Sequence, residues 1–200
     1  MTTSLFGTSI NSPQKVILYA NTDWYLYNFR LSLAEQLRRK GCNVLLVSPK
    51  GHYSKKLIEL GFRWESVHLS NSSRNPFCEV LNLMKTFNLY RKERPDFVHH
   101  FTIKCVLYGT ISAKLIGGVK IVNSITGLGH VFTNLGFKAR LLKTTVSFVY
   151  RLILKGENAR VIFQNESDRD FFINSNLAVK EKVGIKKKVR KSVKRMLIAR

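Results

Sequence analysis

Cysteine and long apolar runs are both scarce in this 200-residue sequence, and each shortage excludes a class of protein. The three cysteines, Cys42, Cys78 and Cys105, are an odd number at wide spacings, so no cysteine metal site is expected. They are typical of reduced thiols in a cytosolic protein. No run of about 20 uncharged apolar residues is present to span a bilayer. The first residues also lack the basic and apolar regions of a signal peptide.

Acidic residues are scarce too, since 12 Asp and Glu stand against 34 Lys and Arg, for a net charge of +22. Residues 178–200 hold ten basic side chains and one acidic side chain, which amounts to +9. The other 177 residues carry +13, so the body of the protein is basic independently of this segment. Such a balance favours an anionic partner: nucleic acid, an acidic membrane surface or a phosphorylated substrate.

Short apolar segments alternate with helical patterns along the chain. We expect strands at 15–20, 43–49, 63–69, 96–101, 119–125 and 159–165, and helices at 27–40, 52–61, 77–93, 104–116, 137–155 and 166–175. The first helix places Phe29, Leu33 and Leu37 on one face. Continuous apolar strands separated by helices indicate an α/β protein with a doubly wound, Rossmann-like parallel sheet.

Glycine is missing from the turn after the first strand, where Asn21, Thr22, Asp23 and Trp24 stand instead. Neither G-x-G-x-x-G at this turn nor a P-loop motif elsewhere is present, which argues against dinucleotide and P-loop sites. Ligands of open α/β sheets bind at the carboxyl ends of the strands. The loops at 21–28, 48–53, 99–104 and 124–133 are therefore candidates, with Trp24 either stacking on a ligand or covering the sheet edge.

Three histidines are candidates for chemistry. His99 and His100 are adjacent in a strand, so they point to opposite faces and cannot bind one metal ion together. No metal site is predicted. A histidine at this strand end either hydrogen-bonds a substrate hydroxyl or packs in the core, whereas His130 lies in a loop and is better placed to contact a ligand.

Two later segments each allow two interpretations. Gly127 and Gly129 follow the fifth strand and either form a tight turn or let backbone N–H groups approach an anion or a sugar. The helix predicted at 137–155 mixes five basic residues with a broad apolar face. It either packs on the sheet or lies in the interface of an anionic membrane.

Five segments, in this order and strand context, resemble the N-terminal domain of bacterial family 4 glycosyltransferases of the GT-B fold that build surface polysaccharides. They are NTDWYLYNFR (21–30), RKGCNVLLVSP (39–49), RPDFVHHFTIKC (94–105), KIVNSITGLGHVF (120–132) and ARVIFQNESDRDFF (159–172). The resemblance covers residues 14–177. It implies one of two Rossmann-like domains that face a cleft: the N-terminal domain holds the acceptor, and the C-terminal domain binds the nucleotide sugar.

The resemblance also assigns candidate site residues. Acceptor binding is implied for Asn21, Thr22, Asp23, Trp24, Thr126, Gly127, Leu128 and Gly129. His99 matches the histidine at the end of the family's corresponding strand. Many relatives carry a histidine near position 126, where this chain has Thr126 and places His130 four residues later. His99 and His130 are therefore both candidates for the catalytic base, and Asn165 and Glu166 match the segment that leads to the interdomain linker.

The resemblance gives an acceptor-side domain at 14–177 after a 1–13 extension. Apolar residues scattered among lysines at 178–200 predict a basic tail that is disordered or weakly helical. Family members continue into a donor-binding domain with two glutamates eight positions apart, and no two glutamates here have that separation. We therefore expect either a truncated, frameshifted product or a true subunit that works with a separate C-terminal half.

The implied reaction is hexose transfer, with retention of configuration and without a metal or cofactor, from a nucleotide sugar to a lipid-linked or saccharide acceptor. We expect a cytoplasmic protein, peripheral on the inner face of the membrane, that is inactive alone and binds no specific nucleic acid. The alternative is a non-catalytic basic module that binds anionic membrane or nucleic acid through its charge.

Overall fold

A computed structural model describes residues 13–67, 69, 76–125, 151, 154 and 158–185 of the chain. These residues form a seven-stranded sheet in the order β3-β2-β1-β4-β5-β6-β7. The strands are β1 (Lys15–Tyr19), β2 (Asn43–Ser48), β3 (Arg63–Ser66), β4 (Phe97–Phe101), β5 (Lys120–Ile125), β6 (Ala159–Phe163) and β7 (Val183–Ile185). Every neighbouring pair is parallel, which confirms the predicted Rossmann-like α/β fold.

The central strands are buried on both faces, as their continuous apolar sequences predict. All five residues of β4 are buried, and only the first residue of β1 and of β5 is exposed. The register places Leu18 of β1 beside His99 of β4, and His99 in turn beside Val122 of β5. The carboxyl ends of these three strands therefore lie side by side at one edge of the sheet.

Five helices connect the described strands: α1 (Asp23–Arg39), α2 (Ser54–Glu59), α3 (Pro76–Glu93), α4 (Ile103–Ile116) and α5 (Glu166–Asn174). On one face of the sheet, Leu26, Ala34 and Leu37 of α1 and Leu57 of α2 pack on β1, β2 and β4. On the other face, α3 and α4 pack on the same strands through residues that include Tyr90, Cys105 and Tyr108. We call these faces the α1 side and the α4 side.

Helix α1 begins four residues earlier than predicted and buries a different stripe. The Thr22 hydroxyl oxygen accepts a hydrogen bond from the Tyr25 N–H at 3.1 Å, which is the bond that an N-cap residue makes. Phe29, predicted on the same apolar face as Leu33 and Leu37, is 54% exposed, whereas Leu37 is buried and Leu33 is partly buried. The predicted face was therefore wrong for Phe29.

Strand β7 lies inside the segment that composition predicted to be a disordered or weakly helical tail. Residues Lys180–Lys182 form a 3₁₀ turn, and Val183–Ile185 then pairs with β6 in parallel register. The tail prediction was wrong for these residues because an edge strand of three residues is held by backbone hydrogen bonds and needs little apolar surface. Residues 186–200 lie outside the described residues, as do residues 1–12 and most of the helix predicted at 137–155.

No helix among the described residues is both long enough and apolar enough to cross a bilayer.

Candidate functional site at the carboxyl edge of the sheet

The first candidate loop is held by its own polar side chains. Asp23 is buried, and its Oδ2 atom accepts hydrogen bonds from the N–H groups of Tyr53 and Ser54, each at 2.8 Å. Its Oδ1 atom accepts from the N–H of Trp24 at 2.8 Å. The carboxylate thus caps α2 and ties the loop after β1 to the loop after β2.

Gly51 is packed directly against this carboxylate. A Cβ atom at position 51 would lie 2.4 Å from Asp23 Oδ1, so the close approach requires glycine. The contact fixes the relative position of the first two loops at the carboxyl edge of the sheet.

The hydrogen bonds of Thr22 and Asp23 also occupy the N-terminus of α1. The N–H groups of Trp24 and Tyr25 donate to these side chains. In a dinucleotide-binding Rossmann turn, such N–H groups bind the pyrophosphate. Here they are used within the protein, which explains in structural terms why this turn needs no phosphate-binding glycines.

Trp24 is the most exposed of the four candidate residues of this loop. Its side chain is 48% exposed and meets Phe29 edge to face, with ring centroids 5.3 Å apart. The contact with Phe29 lies within α1, and the exposed part of the indole is an aromatic surface open to a ligand. Asn21 is partly exposed beside it.

The aromatic surface continues to an arginine. Tyr25 stacks obliquely on both Phe29 and Phe101, at centroid distances of 5.4 and 5.9 Å. The Cζ atom of Arg30 lies 4.3 Å from the centroid of Phe101 and 5.0 Å from that of Tyr25, and its Nη2 donates to the Tyr25 hydroxyl at 2.5 Å. We call the set Trp24, Tyr25, Phe29, Arg30, His99 and Phe101 the Arg30 cluster.

His99 belongs to this cluster on the α1 side. Its ring lies 4.1 Å from that of Phe101, and its Nε2 is paired with the Ser124 hydroxyl at 2.8 Å. Burial, followed by the positive charge of Arg30 and then the neighbouring His100, lowers the pKa of His99 well below its usual value. His99 is therefore a neutral imidazole in the middle of β4, with one ring nitrogen that donates a hydrogen bond and one that accepts.

His100 occupies the α4 side and has no exposure to solvent. Its Nδ1 lies 2.7 Å from Oδ1 of Asn123, an atom that can only accept, so Nδ1 carries the proton. Its Nε2 then accepts from the Tyr90 hydroxyl at 3.0 Å. Burial lowers the pKa of His100 to about 4. Both ring nitrogens are hydrogen-bonded within the protein. Of the two roles expected for a histidine here, binding a substrate hydroxyl or packing in the core, His100 therefore has the second.

The remaining candidates divide between capping residues and residues outside the described ranges. Asn165 caps α5, since its Oδ1 accepts from the Asp168 N–H at 2.7 Å. Thr126, Gly127, Leu128, Gly129 and His130 lie outside the described residues. Within the described ranges, no three His, Cys, Asp or Glu side chains come together as metal ligands.

Arg30 is the site residue that sequence reasoning missed. The buried positions of α1 are Asp23, Leu26, Ala34 and Leu37, and Arg30 lies on the same helical stripe. A charged residue at a core-facing position was the available signal. It was overlooked because the predicted face consisted of Phe29, Leu33 and Leu37.

Comparison with known proteins gives the family. The family described as glycosyl transferase 4-like matches residues 15–165. A curated relative, the N,N'-diacetylbacillosaminyl-diphospho-undecaprenol alpha-1,3-N-acetylgalactosaminyltransferase of Campylobacter jejuni, is 28% identical over 156 residues. The alignment covers 78% of this chain and 41% of the relative, so the chain spans about two fifths of that protein.

Solved structures share the fold at low sequence identity. A glycosyltransferase from Rickettsia africae superposes with a TM-score of 0.64 at 14% identity, covering 94% of this chain and 50% of that one. A UDP-N-acetylglucosamine 2-epimerase from Rickettsia bellii gives 0.57 at 16% identity, covering 92% and 49%. The fold thus serves two kinds of enzyme, and the match over residues 15–165 decides between them: the chain belongs to the glycosyl transferase 4-like family.

Proposed function

We propose that this chain is the acceptor-side half of a retaining glycosyltransferase that transfers a sugar from a nucleotide sugar to a lipid-linked saccharide in surface-polysaccharide synthesis. The observation that carries the proposal is the α1 N-terminus. Its first N–H groups donate to Thr22 and Asp23, which leaves an aromatic surface, rather than a phosphate cradle, at the carboxyl edge.

An aromatic surface of this kind suits a saccharide. Sugar rings present apolar C–H faces that stack on indole and phenol rings, and Trp24 offers such a face beside the partly exposed Asn21. Neutral His99, in β4, is in a suitable state to hydrogen-bond an acceptor hydroxyl. Thr126, Gly127, Leu128, Gly129 and His130 remain proposed acceptor contacts.

The lipid-linked acceptor is proposed from the Campylobacter relative, whose name specifies a diphospho-undecaprenol substrate. A net charge of +22 favours the anionic surface of the inner membrane leaflet, where such an acceptor would be reached from the cytoplasm. We therefore propose a peripheral position on that surface.

The donor half is proposed to lie in a second Rossmann-like domain that these residues do not supply. Electrostatic stabilisation of the leaving nucleotide diphosphate would come largely from that domain. The 200 residues alone are accordingly expected to bind acceptor and to transfer no sugar.

The test is a binding comparison on the purified full chain by isothermal titration calorimetry. The ligands are a farnesyl-diphosphate-linked N-acetylhexosamine, as a soluble acceptor analogue, and UDP-N-acetylhexosamine, as a donor. We expect the acceptor analogue to bind at least about tenfold more tightly, which corresponds to about 1.4 kcal/mol. Farnesol serves as the control for non-specific binding of the lipid.

Two results would reject this function. One is tighter binding of the nucleotide sugar than of the acceptor analogue, which would place the donor on this half. The other is sugar transfer by the purified chain without any partner.

A further inference from the structure

Arg30 is a cation without a carboxylate partner in the described part of the chain. The ion pairs among the described residues involve Arg63, Lys104 and Arg169, and none involves Arg30. Of the 12 acidic residues in the sequence, only Glu157 lies outside the described ranges. Because acidic residues are scarce, the Arg30 guanidinium packs on the aromatic rings of Tyr25 and Phe101 instead of on a carboxylate.

The guanidinium is also incompletely hydrogen-bonded. Its Nε is buried and has no hydrogen-bond partner among the residues that the structure describes. A buried donor that lacks a partner costs free energy, as does a partly buried charge without a counter-ion. The Arg30 guanidinium packs on two aromatic rings in spite of these costs. This arrangement is expected of a binding site in which the ligand supplies the counter-ion.

The position of Arg30 relates its anion to the proposed acceptor. Phe101, on which it packs, is the last residue of β4, and His99 contacts the same ring. The guanidinium thus lies next to the proposed acceptor site, at the edge where the sheet presents its carboxyl ends. A diphosphate offers several oxygens at the spacing that a planar guanidinium fork can bind in pairs.

We propose that Arg30 binds the diphosphate group that joins the acceptor saccharide to its lipid. This assignment rests on the proposed function and goes further, because it names the group recognised and the residue that recognises it. The saccharide would then extend from Arg30 towards Trp24 and His99. Phe101 and the Tyr25 hydroxyl act as positioning groups that hold the guanidinium in place.

Arg38 provides a matched control on the same helix. Its Cζ lies 4.3 Å from the centroid of Phe62, the same distance as between Arg30 and Phe101. It donates to the backbone oxygen of Leu60, near the end of α1 remote from the candidate site. Arg38→Gln therefore removes the same charge and the same kind of ring contact at a distance from the proposed site.

The experiment measures the affinity of farnesyl diphosphate, inorganic pyrophosphate and UDP for the full-length wild type, Arg30→Gln and Arg38→Gln. We expect Arg30→Gln to weaken farnesyl diphosphate binding at least about tenfold, with Arg38→Gln within about twofold of wild type. Inorganic pyrophosphate is expected to bind more weakly than farnesyl diphosphate, which identifies a lipid-linked source. Arg30→Lys, which keeps the charge but lacks the fork, is expected to fall between wild type and Arg30→Gln.

A readout on the unmodified protein covers the case in which Arg30→Gln fails to fold. The His99 imidazole resonances should move when farnesyl diphosphate is added, because the anion offsets the neighbouring positive charge, while those of His100 should stay in place. No movement of His99 at saturating farnesyl diphosphate would overturn the assignment.

The outcomes separate this assignment from the proposed function. If the acceptor analogue binds and Arg30→Gln binds farnesyl diphosphate as well as wild type does, the Arg30 assignment is wrong and the acceptor function stands. If Arg30→Gln weakens UDP instead, the diphosphate belongs to the donor and the assignment is again wrong. If wild type binds no farnesyl-diphosphate probe, both proposals fail.

Discussion

Two adjacent buried histidines of β4 point to opposite faces of the sheet. His100, on the α4 side, has both ring nitrogens paired, with Tyr90 and Asn123, and is packed so tightly that a Cβ added at Gly109 would lie 2.3 Å from its Nε2. His99, on the α1 side, is hydrogen-bonded to Ser124 and belongs to the Arg30 cluster, in which Trp24 is exposed to solvent. A single step along the strand therefore separates a structural residue from a candidate functional one.

The two faces of the sheet differ in the contacts that their polar side chains make. On the α4 side, Thr110 donates to Asn123 at 3.1 Å beneath α4, and His100 is paired with Tyr90 and Asn123. The α1 side keeps a half-exposed tryptophan and an arginine that has no carboxylate partner among the described residues. Changes on the α4 side should act on stability, and changes on the α1 side should act mainly on ligand binding.

The largest effect is expected from His100→Ala. It leaves a cavity and removes the partner of Tyr90 and of Asn123, so the free energy of unfolding should fall by about 3–4 kcal/mol. His99→Ala removes the partner of Ser124 alone, at the edge of the core, and should cost about 1–2 kcal/mol. Urea unfolding measures both decreases in the free energy of unfolding. Equal decreases would contradict the predicted difference between the two sides.

Stability should also fall in mild acid because both histidines are neutral in the fold. The pKa of His100 is about 4 in the folded protein against 6.5 ordinarily, so below pH 6.5 the unfolded chain binds a proton that the folded chain does not. The contribution of His100 to the free energy of unfolding is thus fully present above pH 6.5 and is lost as the pH falls towards 4. Between pH 7 and pH 5 the loss from this residue should be about 2 kcal/mol.

The variant His100→Leu tests this assignment by urea unfolding at several pH values. It should flatten the decline between pH 7 and pH 5, leaving the part due to His99, whose pKa is also lowered. A variant that declines as steeply as wild type would show that His100 is protonated equally in both states.

A smaller effect is expected where Asp23 meets Gly51. Asp23→Ala removes the acceptor of the Tyr53 and Ser54 N–H groups and should cost about 1–2 kcal/mol. Gly51→Ala should be destabilising in wild type because its Cβ would lie 2.4 Å from the carboxylate, and much less so when position 23 is alanine. Additive losses in this double-mutant cycle would contradict the direct contact.

The smallest effect on stability is expected from Phe29→Ser on the α1 side. Phe29 is 54% exposed, so the free energy of unfolding should change by less than about 0.5 kcal/mol in a thermal melt. Binding of the acceptor analogue should weaken several-fold, since Phe29 supports both Trp24 and Tyr25. The exposed Ile58 of α2 supplies a control, Ile58→Ser, which should leave binding unchanged. Equal effects of the two changes on binding would argue against a role for the Arg30 cluster.

Sheet and helix order could be predicted from the sequence because each strand is a short apolar run between helical patterns. The start of α1 was predicted late, although Thr22 followed by Asp23 is a sequence typical of an N-cap. The absence of glycines from this turn was evident in the sequence. What replaces them is a pair of side-chain caps, and one of these joins a loop 30 residues away, which no local pattern reveals.

Other features depend on tertiary contacts, which the pattern of apolar residues in the sequence does not reveal. β7 carries Val183, Gly184 and Ile185 among lysines, and its pairing with β6 is specified by backbone geometry rather than by an apolar run. The two histidines were expected to point to opposite faces, but which of them is closed in depends on Tyr90 and Asn123, and these come from other elements. The pairing of Arg30 with Phe101 likewise joins α1 to β4.

The most direct test of the account is to find which side of the sheet receives the acceptor. The full chain, titrated with farnesyl-diphosphate-linked N-acetylhexosamine, can be followed through the imidazole resonances of His99 and His100 and the indole resonance of Trp24. The account predicts saturable shifts of Trp24 and His99 while His100 stays unchanged. Saturable binding that moves His100 and leaves His99 and Trp24 in place would contradict it.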